Sequence, residues 1–451
     1  MSLRLVAVGV RYYDGACLYC HLYLLWYACL VAFLASVLSS FSSCLRRCWF
    51  GSVGIYMSEI FAGVARRSVV MALGRVGAVL VAMGTGLSQA EVSIEAPAPT
   101  KGEVEVTEVA TGLEHPWSVA FLPDGGMLIT ERPGRLRRLD GQGKLSEPLA
   151  GVPKVWANGQ GGLLDVVLSP DFGSDRLVYL SYAEVGDDGK AGTAVGRGRL
   201  SEDGRGLEDF GVIFRQQPKL STGNHFGGRM VFGRDGLLFV ALGENNQRPT
   251  AQDLDKHQGK VVRIGADGSV PKDNPFVGRA DVLPEIWTYG MRNPQGMALN
   301  PWTGELWESE HGPRGGDEVN VIAPGKNYGW PLATYGINYS GLPIPEAKGK
   351  TLSGGQGPLY WWKKSPAISG MAFYDADRFA AWQGSLFIGA LADETLIRLQ
   401  LKDGKMVGEE RLLQDEDARI RDVRQGPDGY VYVLTDEDDG KLLRLAPAGV
   451  K

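Results

Sequence analysis

One pattern constrains this chain more than any other: a turn built on Pro, Asp, Asn or Gly, followed by a short apolar strand, recurs six times. Pro123-Asp124-Gly125 precedes a strand at 127–130, Pro170-Asp171 one at 177–182, and Arg234-Asp235-Gly236 one at 237–242. Asn300-Pro301 precedes 305–309, Asp375-Ala376-Asp377 precedes 385–390, and Pro427-Asp428-Gly429 precedes 430–434. A further strand with a basic residue usually follows, at 136–139, 198–200, 261–264, 396–399 and 442–445. Short strands bounded by turn residues, repeated six times without a clean helical period between them, read as an all-β chain. The expected fold is a six-bladed β-propeller over 104–447. The spacing of roughly 45–75 residues is irregular, so some blades carry insertions; the longest, about 312–364, is rich in Gly, Pro, Tyr and Trp. Long loops on a rigid ring are where a binding site is expected.

An export or leader segment precedes the propeller. Residues 16–50 are apolar and aromatic, with a nearly unbroken run at 24–38. A second pattern follows: Arg66, Arg67 and Arg75, an apolar stretch at 76–87, then Ser88-Gln89-Ala90. That is the layout of a secretory signal peptide. We read 57–90 as the signal peptide, starting at Met57, and 91–103 as a linker. Residues 1–56 are then an over-extended gene start, or else a membrane anchor near 17–38. The expected location is periplasmic or secreted, with membrane attachment only if the N-terminal segment is retained.

All five cysteines (Cys17, Cys20, Cys29, Cys44 and Cys48) lie in the leader. From Glu91 onward there is none, which excludes a disulfide scaffold, a thiolate zinc site and a cysteine nucleophile for the body. Cys17-Leu18-Tyr19-Cys20-His21 matches a haem-attachment string, but nothing before it could fold around a haem, and we read it as a chance match. Only seven of 47 basic and two of 52 acidic residues fall in 1–90, which leaves the body a formal net charge of −10. An acidic body argues against nucleic acid as a partner.

Several residues could carry chemistry. His225, in Ser221-Thr222-Gly223-Asn224-His225-Phe226-Gly227-Gly228-Arg229, has small neighbours and suits proton transfer near neutral pH, though a strand-end cap fits equally. His115 reads as structural and His257 as a surface or turn residue. Glu310-His311-Gly312-Pro313 with Asp317-Glu318 offers carboxylates and carbonyls suited to Ca2+, or simply a solvated acidic loop. Arg292 and Asn293 follow a strand. Arg419 and Arg421 share one strand face and suit an anionic ligand, or else ion pairs with nearby acids. Gln160 sits in the glycine-rich Asn158-Gly159-Gln160-Gly161-Gly162. No dinucleotide fingerprint, phosphate loop or nucleophile elbow is present.

Taken in order, these motifs say more than each alone. Gly159-Gln160-Gly161-Gly162-Leu163-Leu164, His225-Phe226-Gly227-Gly228-Arg229, Gly290-Met291-Arg292-Asn293-Pro294-Gln295-Gly296, Glu310-His311-Gly312-Pro313, Asn327-Tyr328-Gly329-Trp330-Pro331 and Arg419-Ile420-Arg421-Asp422 follow one another as in the soluble quinoprotein glucose/sorbosone dehydrogenases, which this chain resembles from about 104 to 445. The resemblance implies oxidation of aldose sugars at C1 with pyrroloquinoline quinone (PQQ) and Ca2+. It places His225 as general base and Arg292 where charge develops on the quinone. It places Gln160, Arg292, Asn293, Tyr339, Ala390, Leu391, Ala392, Arg419 and Arg421 at the cofactor. It places Gly312, Pro313, Glu318 and Tyr328 at calcium. Two departures stand out: Asn224 replaces an Asp before the His, and Ala392 replaces a lysine, which is expected to weaken PQQ binding. A calcium-dependent lactonase or hydrolase on a six-bladed propeller, or a non-catalytic binding propeller, are the alternatives; the arginine set separates them from the dehydrogenase. The implied electron acceptor is a separate quinone or cytochrome, and a homodimer is compatible with the sequence.

Overall fold

The computed structural model describes residues 93–449; the readings of 1–56 and 57–90 lie outside the described residues. Among the described residues the only α-helix is the single turn Phe172–Asp175, and no helix is long and apolar enough to cross a membrane. The strands form six sheets, the blades of a propeller.

Blade 1 is Pro116–Phe121, Met127–Glu131 and Arg135–Leu139. Blade 2 is Leu163–Leu168, Leu177–Val185, Ala191–Leu200 and Leu207–Arg215. Blade 3 is Gly227–Phe232, Leu238–Leu242, Lys260–Ile264 and Ile286–Tyr289. Blade 4 is Pro294–Leu299, Leu306–Glu310, Asp317–Ile322 and Tyr360–Trp362. Blade 5 is Ile368–Tyr374, Ser385–Ala390, Thr395–Lys402 and Lys405–Leu412. Blade 6 is Ile420–Gln425, Val431–Thr435 and Gly440–Pro447, completed by the N-terminal strand Val104–Leu113. That strand runs antiparallel to the last one, with Val104 opposite Pro447 and Leu113 opposite Gly440, so the two ends of the propeller close it without a covalent link. The first strands of successive blades pack against one another, and that of blade 6 packs against that of blade 1.

The recurring strand of the sequence is the second strand of each blade. Its turn chemistry is local. Gly125, Gly236 and Gly429 adopt φ of 84°, 75° and 78°, a backbone that a Cβ would strain. Beside them Asp124, Asp235 and Asp428 accept a backbone N–H two residues on, at 2.9, 3.2 and 3.2 Å. Apolar side chains of the second and third strands then meet between blades, as where Leu128 and Leu136 pack with Val166, Val178 and Leu180. Segment 91–103, expected as a linker, carries two short strands from Ser93 onward. Ile94–Glu95 adds in parallel to blade 4 and Thr100–Lys101 to blade 5.

The first strands behave differently, because they carry polar residues toward one another. Arg229 of blade 3, 1% exposed, reaches Asp165 of blade 2 through Nη1 at 3.0 Å and donates through Nε to the Gln295 carbonyl of blade 4 at 3.1 Å. Its Nη2 lies 3.0 Å from Asp422 of blade 6, an ion pair whose angle is too poor for a hydrogen bond. Arg424 bridges the same two carboxylates at 3.0 and 2.9 Å, and Ser118 of blade 1 donates to Asp165 at 2.6 Å. Blade 5 joins through Ser369, whose hydroxyl donates to the Ile420 carbonyl at 2.7 Å and whose own carbonyl accepts from Ser309 at 2.8 Å. A buried charge left alone costs far more than a matched pair. Arg229→Met leaves Arg424 as the one cation between the buried Asp165 and Asp422; we expect a loss of about 3–5 kcal/mol in denaturant unfolding, and a loss under about 1 kcal/mol would show that the network does not hold the ring.

Candidate active site

In an antiparallel blade the first strand begins at the same end where the second strand finishes. One backbone hydrogen bond repeats there in all six blades. The N–H of Arg132 meets the carbonyl of His115 at 3.0 Å, Ala183 meets Gly162 at 2.8 Å, and Asn245 meets His225 at 3.2 Å. His311 meets Asn293 at 3.2 Å, Leu391 meets Ala367 at 2.9 Å, and Asp436 meets Arg419 at 2.7 Å. Every blade thus offers two side-chain positions to one end of the ring. Most of the chemically interesting residues occupy them.

A cavity of about 580 Å³ opens at this end. Gln160, Asn293, Leu391, Arg419 and Arg421, which the family resemblance assigns to the cofactor, line it. Trp117 lines it too, and the same ring lies 4.3 Å from the Arg229 guanidinium, so the buried ion network sits directly against the cavity wall. His115, Arg132, His311 and the acidic run Asp436–Asp439 also border it. His115 is therefore a site neighbour: its Nδ1 lies 2.9 Å from Asp436 and its Nε2 2.9 Å from Asp438. His257, read as a surface or turn residue, is instead 2% exposed and held between the Gln217 N–H and Glu285, at 2.9 and 2.7 Å.

The polar groups orient one another in a fixed order. Arg421 can only donate, so Gln295 presents Oε1 to it at 3.0 Å. The Gln295 amide then donates to Asn293 Oδ1 at 3.1 Å, which leaves the Asn293 NH2 as a donor. Gln160 Oε1 accepts the His225 N–H at 2.8 Å, so its NH2 is likewise left to donate. Burial opposes ionisation of Asp436, but Arg421 beside it, with Arg132 and His115, holds its carboxyl well below the usual range. Arg419 and Arg292 differ: they donate to the Leu391 and His311 carbonyls, both at 3.0 Å, and neither has an ion pair among the described residues.

His225 precedes Phe226 and Gly227 of the cavity wall and is 8% exposed. Its φ of 54° is rare for a side-chain-bearing residue and is held by the Gln160 contact. Glu244, 0% exposed, lies 3.1 Å from Nδ1 through Oε1, while its Oε2 accepts the Gln247 N–H at 2.8 Å. The carboxylate thus fixes the tautomer with Nε2 free to take a proton. Desolvation pulls the imidazole pKa below the usual 6.5, more strongly than the Glu244 hydrogen bond raises it. Glu244 escaped sequence reasoning; its position just past the second strand of the blade that carries His225 is the signal that would have found it.

Other expected site residues lie nearby but apart. Arg292, Gly312, Glu318 and Tyr328 line a recess of about 10 Å³, near the room one water or ion needs. Tyr339, Pro313 and Ala392 line a separate cleft of about 730 Å³ that shares Ala367 with the main cavity; Tyr339 is 73% exposed there. Ala390 lines neither: it ends a buried strand and packs with Ile368, Ile388 and Ile397. Of segment 390–392, only Leu391 borders the main cavity.

Glu310 and Glu318 of the recess are buried together with Glu308. Burial first, and mutual repulsion next, raises Glu308 and Glu318 well above the usual carboxyl range; burial lifts Glu310 to about 7. Glu308 Oε1 and Asn320 Oδ1 find no hydrogen-bond donor among the described residues. Among the described residues no three His, Cys, Asp or Glu side chains converge as a metal site on their own. A hard cation here would draw on main-chain carbonyls as well as carboxylates.

The family model described as Glucose / Sorbosone dehydrogenase matches residues 113–444. The chain is similar to Aldose sugar dehydrogenase YliI of Escherichia coli (strain K12), 62% identical over 351 residues, 78% of this chain and 94% of that protein. A crystal structure of a glucose dehydrogenase is similar at TM-score 0.76 and 66% identity, over 76% of this chain and 100% of that one. So is the PQQ-bound form of an aldose sugar dehydrogenase from Streptomyces coelicolor, at TM-score 0.64 and 32% identity, over 78% of this chain and 100% of that one.

The site's electrostatics predict that His225 is neutral at pH 7 and titrates below 6.5. Glu244→Gln removes a group that favours the charged ring, so the midpoint moves lower still. NMR of the His225 ring protons reads both; a midpoint at or above the usual value contradicts this assignment.

Proposed function

The chain belongs to the glucose/sorbosone dehydrogenase family, and on that premise we propose that it oxidises an aldose at C1 to the lactone, with PQQ and Ca2+ as cofactors and His225 as general base. It is an oxidoreductase. The observation that carries the finer reading is the charge of the cavity. Arg419 has no carboxylate of its own, Arg421 stands beside it, Gln160 and Asn293 turn NH2 groups to spare, and Arg292, likewise without an ion pair, lines the adjoining recess. That donor set suits a tricarboxylate rich in carbonyl acceptors. A calcium-dependent lactonase has no use for it.

When bound, PQQ supplies an electrophilic ortho-quinone that takes the C1 hydride, and Ca2+ supplies Lewis-acid polarisation beside it. Arg419 and Arg421 offset the cofactor's carboxylates. The carbonyls of Gly312 and Pro313 would hold the Ca2+ at the cofactor, and Glu318 and Tyr328 a calcium that supports the same loop; the orphaned oxygens and crowded carboxyls beside the recess fit a cation there. His225 Nε2 takes the proton from the C1 hydroxyl, and Glu244 holds Nδ1–H and stabilises the imidazolium that forms. Arg292 is placed to stabilise negative charge developing on the acceptor. A separate quinone or cytochrome would be the electron acceptor. The signal-peptide pattern at 57–90 supports a location outside the cytoplasm for this chemistry.

Purified protein mixed with PQQ, Ca2+, an aldose panel and a redox dye should reduce the dye only with both additions, and a chelator should stop it. His225→Gln should lower kcat by about 10²–10⁴-fold with PQQ uptake unchanged. Because His225 must be neutral to act, kcat should fall only as pH drops below 6.5. Turnover of the variant within about threefold of wild type, against the ~10²-fold minimum expected of a lost general base, would remove His225 from the mechanism.

A further inference from the structure

Arg132 is the residue of blade 1 whose N–H meets the His115 carbonyl, the position that His311, Leu391 and Asp436 hold in blades 4, 5 and 6. All four border the main cavity. The root of Arg132 is fixed on both sides: its N–H donates to His115, and its carbonyl accepts from Leu163, each at 3.0 Å. Gly162 packs so tightly against that carbonyl that a Cβ there would lie 2.0 Å from it. The guanidinium is half-buried and donates from Nη1 to the Gly159 carbonyl at 3.1 Å, beside Gln160. Among the described residues it has no ion pair, which sets it with Arg419 and Arg292 and apart from Arg421. Burial disfavours its charged form most, Asp436 supports it, and Arg421 and Arg419 oppose it further. Three guanidiniums therefore face one cavity, and the carboxylate that most supports Arg132, Asp436, is already committed to Arg421. A cation held near two others, with donors unused, is a receptor for an anion.

We propose that Arg132 is a further cofactor-binding residue, a third guanidinium on the main cavity's wall beside Arg419 and Arg421, for an anionic quinone bearing several carboxylates. This rests on the PQQ reading above. It also bears on Ala392: a blade 1 cation adds to the pair from blade 6 where the blade 5 segment carries no lysine.

The test is equilibrium titration of the apo-protein with PQQ, read by quenching of tryptophan fluorescence, at several salt concentrations. Arg132→Gln should weaken PQQ binding by about tenfold or more and flatten its salt dependence. Arg132→Lys should restore the salt dependence and part of the affinity. If the residue only braces the Gly159 loop, Arg132→Gln weakens binding with the salt dependence unchanged, and the proposal falls. Equal affinity and equal salt dependence in wild type and Arg132→Gln also overturns it, with the PQQ reading intact. Wild-type protein that takes up no PQQ overturns both. Thermal melting of each variant separates lost binding from lost folding, and Arg132→Lys carries the test if Arg132→Gln does not fold.

Discussion

The rest of the structure depends on a buried charge network at the propeller axis. Arg229 and Arg424 sit between Asp165 and Asp422, and through them the first strands of blades 2, 3 and 6 are held at fixed spacing. Ser118 and the Gln295 carbonyl bring in blades 1 and 4. Such groups are stable in a core only when every partner is present. The network therefore specifies a closed ring rather than an open stack of sheets. It also sets where the cavity can be. Trp117 stacks on Arg229 from one side and faces the cavity from the other, so the first strands cannot shift without disturbing the site.

On that rigid base the site is an assembly of strand ends. Six blades repeat one backbone contact, and the chain varies the two side chains that flank it. Blade 3 supplies His225, with Glu244 one residue ahead of the paired position; blade 4 supplies Asn293 and His311; blade 6 supplies Arg419 and Asp436. No single blade holds the chemistry. Arg132 is the expensive part: desolvation and repulsion from Arg421 and Arg419 disfavour its charge, and a bound anion relieves both.

The fold was legible where its determinants are local. Asp124-Gly125, Asp235-Gly236 and Asp428-Gly429 announce turns through their own backbone chemistry, and the apolar strands after them announce the second strand of a blade. The first strands were not legible. Ser118, Asp165, Arg229, Gln295, Ser369 and Asp422 replace apolar residues there with partners found on other blades, so no period marks them. Nor could the sequence show that Val104–Leu113 completes the last blade, since that pairing spans the whole propeller. In the site, His225, Arg419 and Arg421 were visible because their types are unusual in those settings. Glu244 is one carboxylate among many, and Arg132 in Glu131-Arg132-Pro133-Gly134 reads as an ordinary turn. Ala390 was expected at the cofactor, but its strand buries it; Tyr339 and Ala392 lie in the adjoining cleft.

The central claim is that this cavity holds a quinone cofactor where His225 can deprotonate a sugar. The most direct measurement is a single turnover without oxygen or dye. PQQ-loaded protein is mixed with an excess of aldose, and the absorption of the bound cofactor is followed. The account predicts that one equivalent of bound cofactor per chain is converted to its reduced form, with one equivalent of lactone released. A bound cofactor whose spectrum no aldose changes would contradict it.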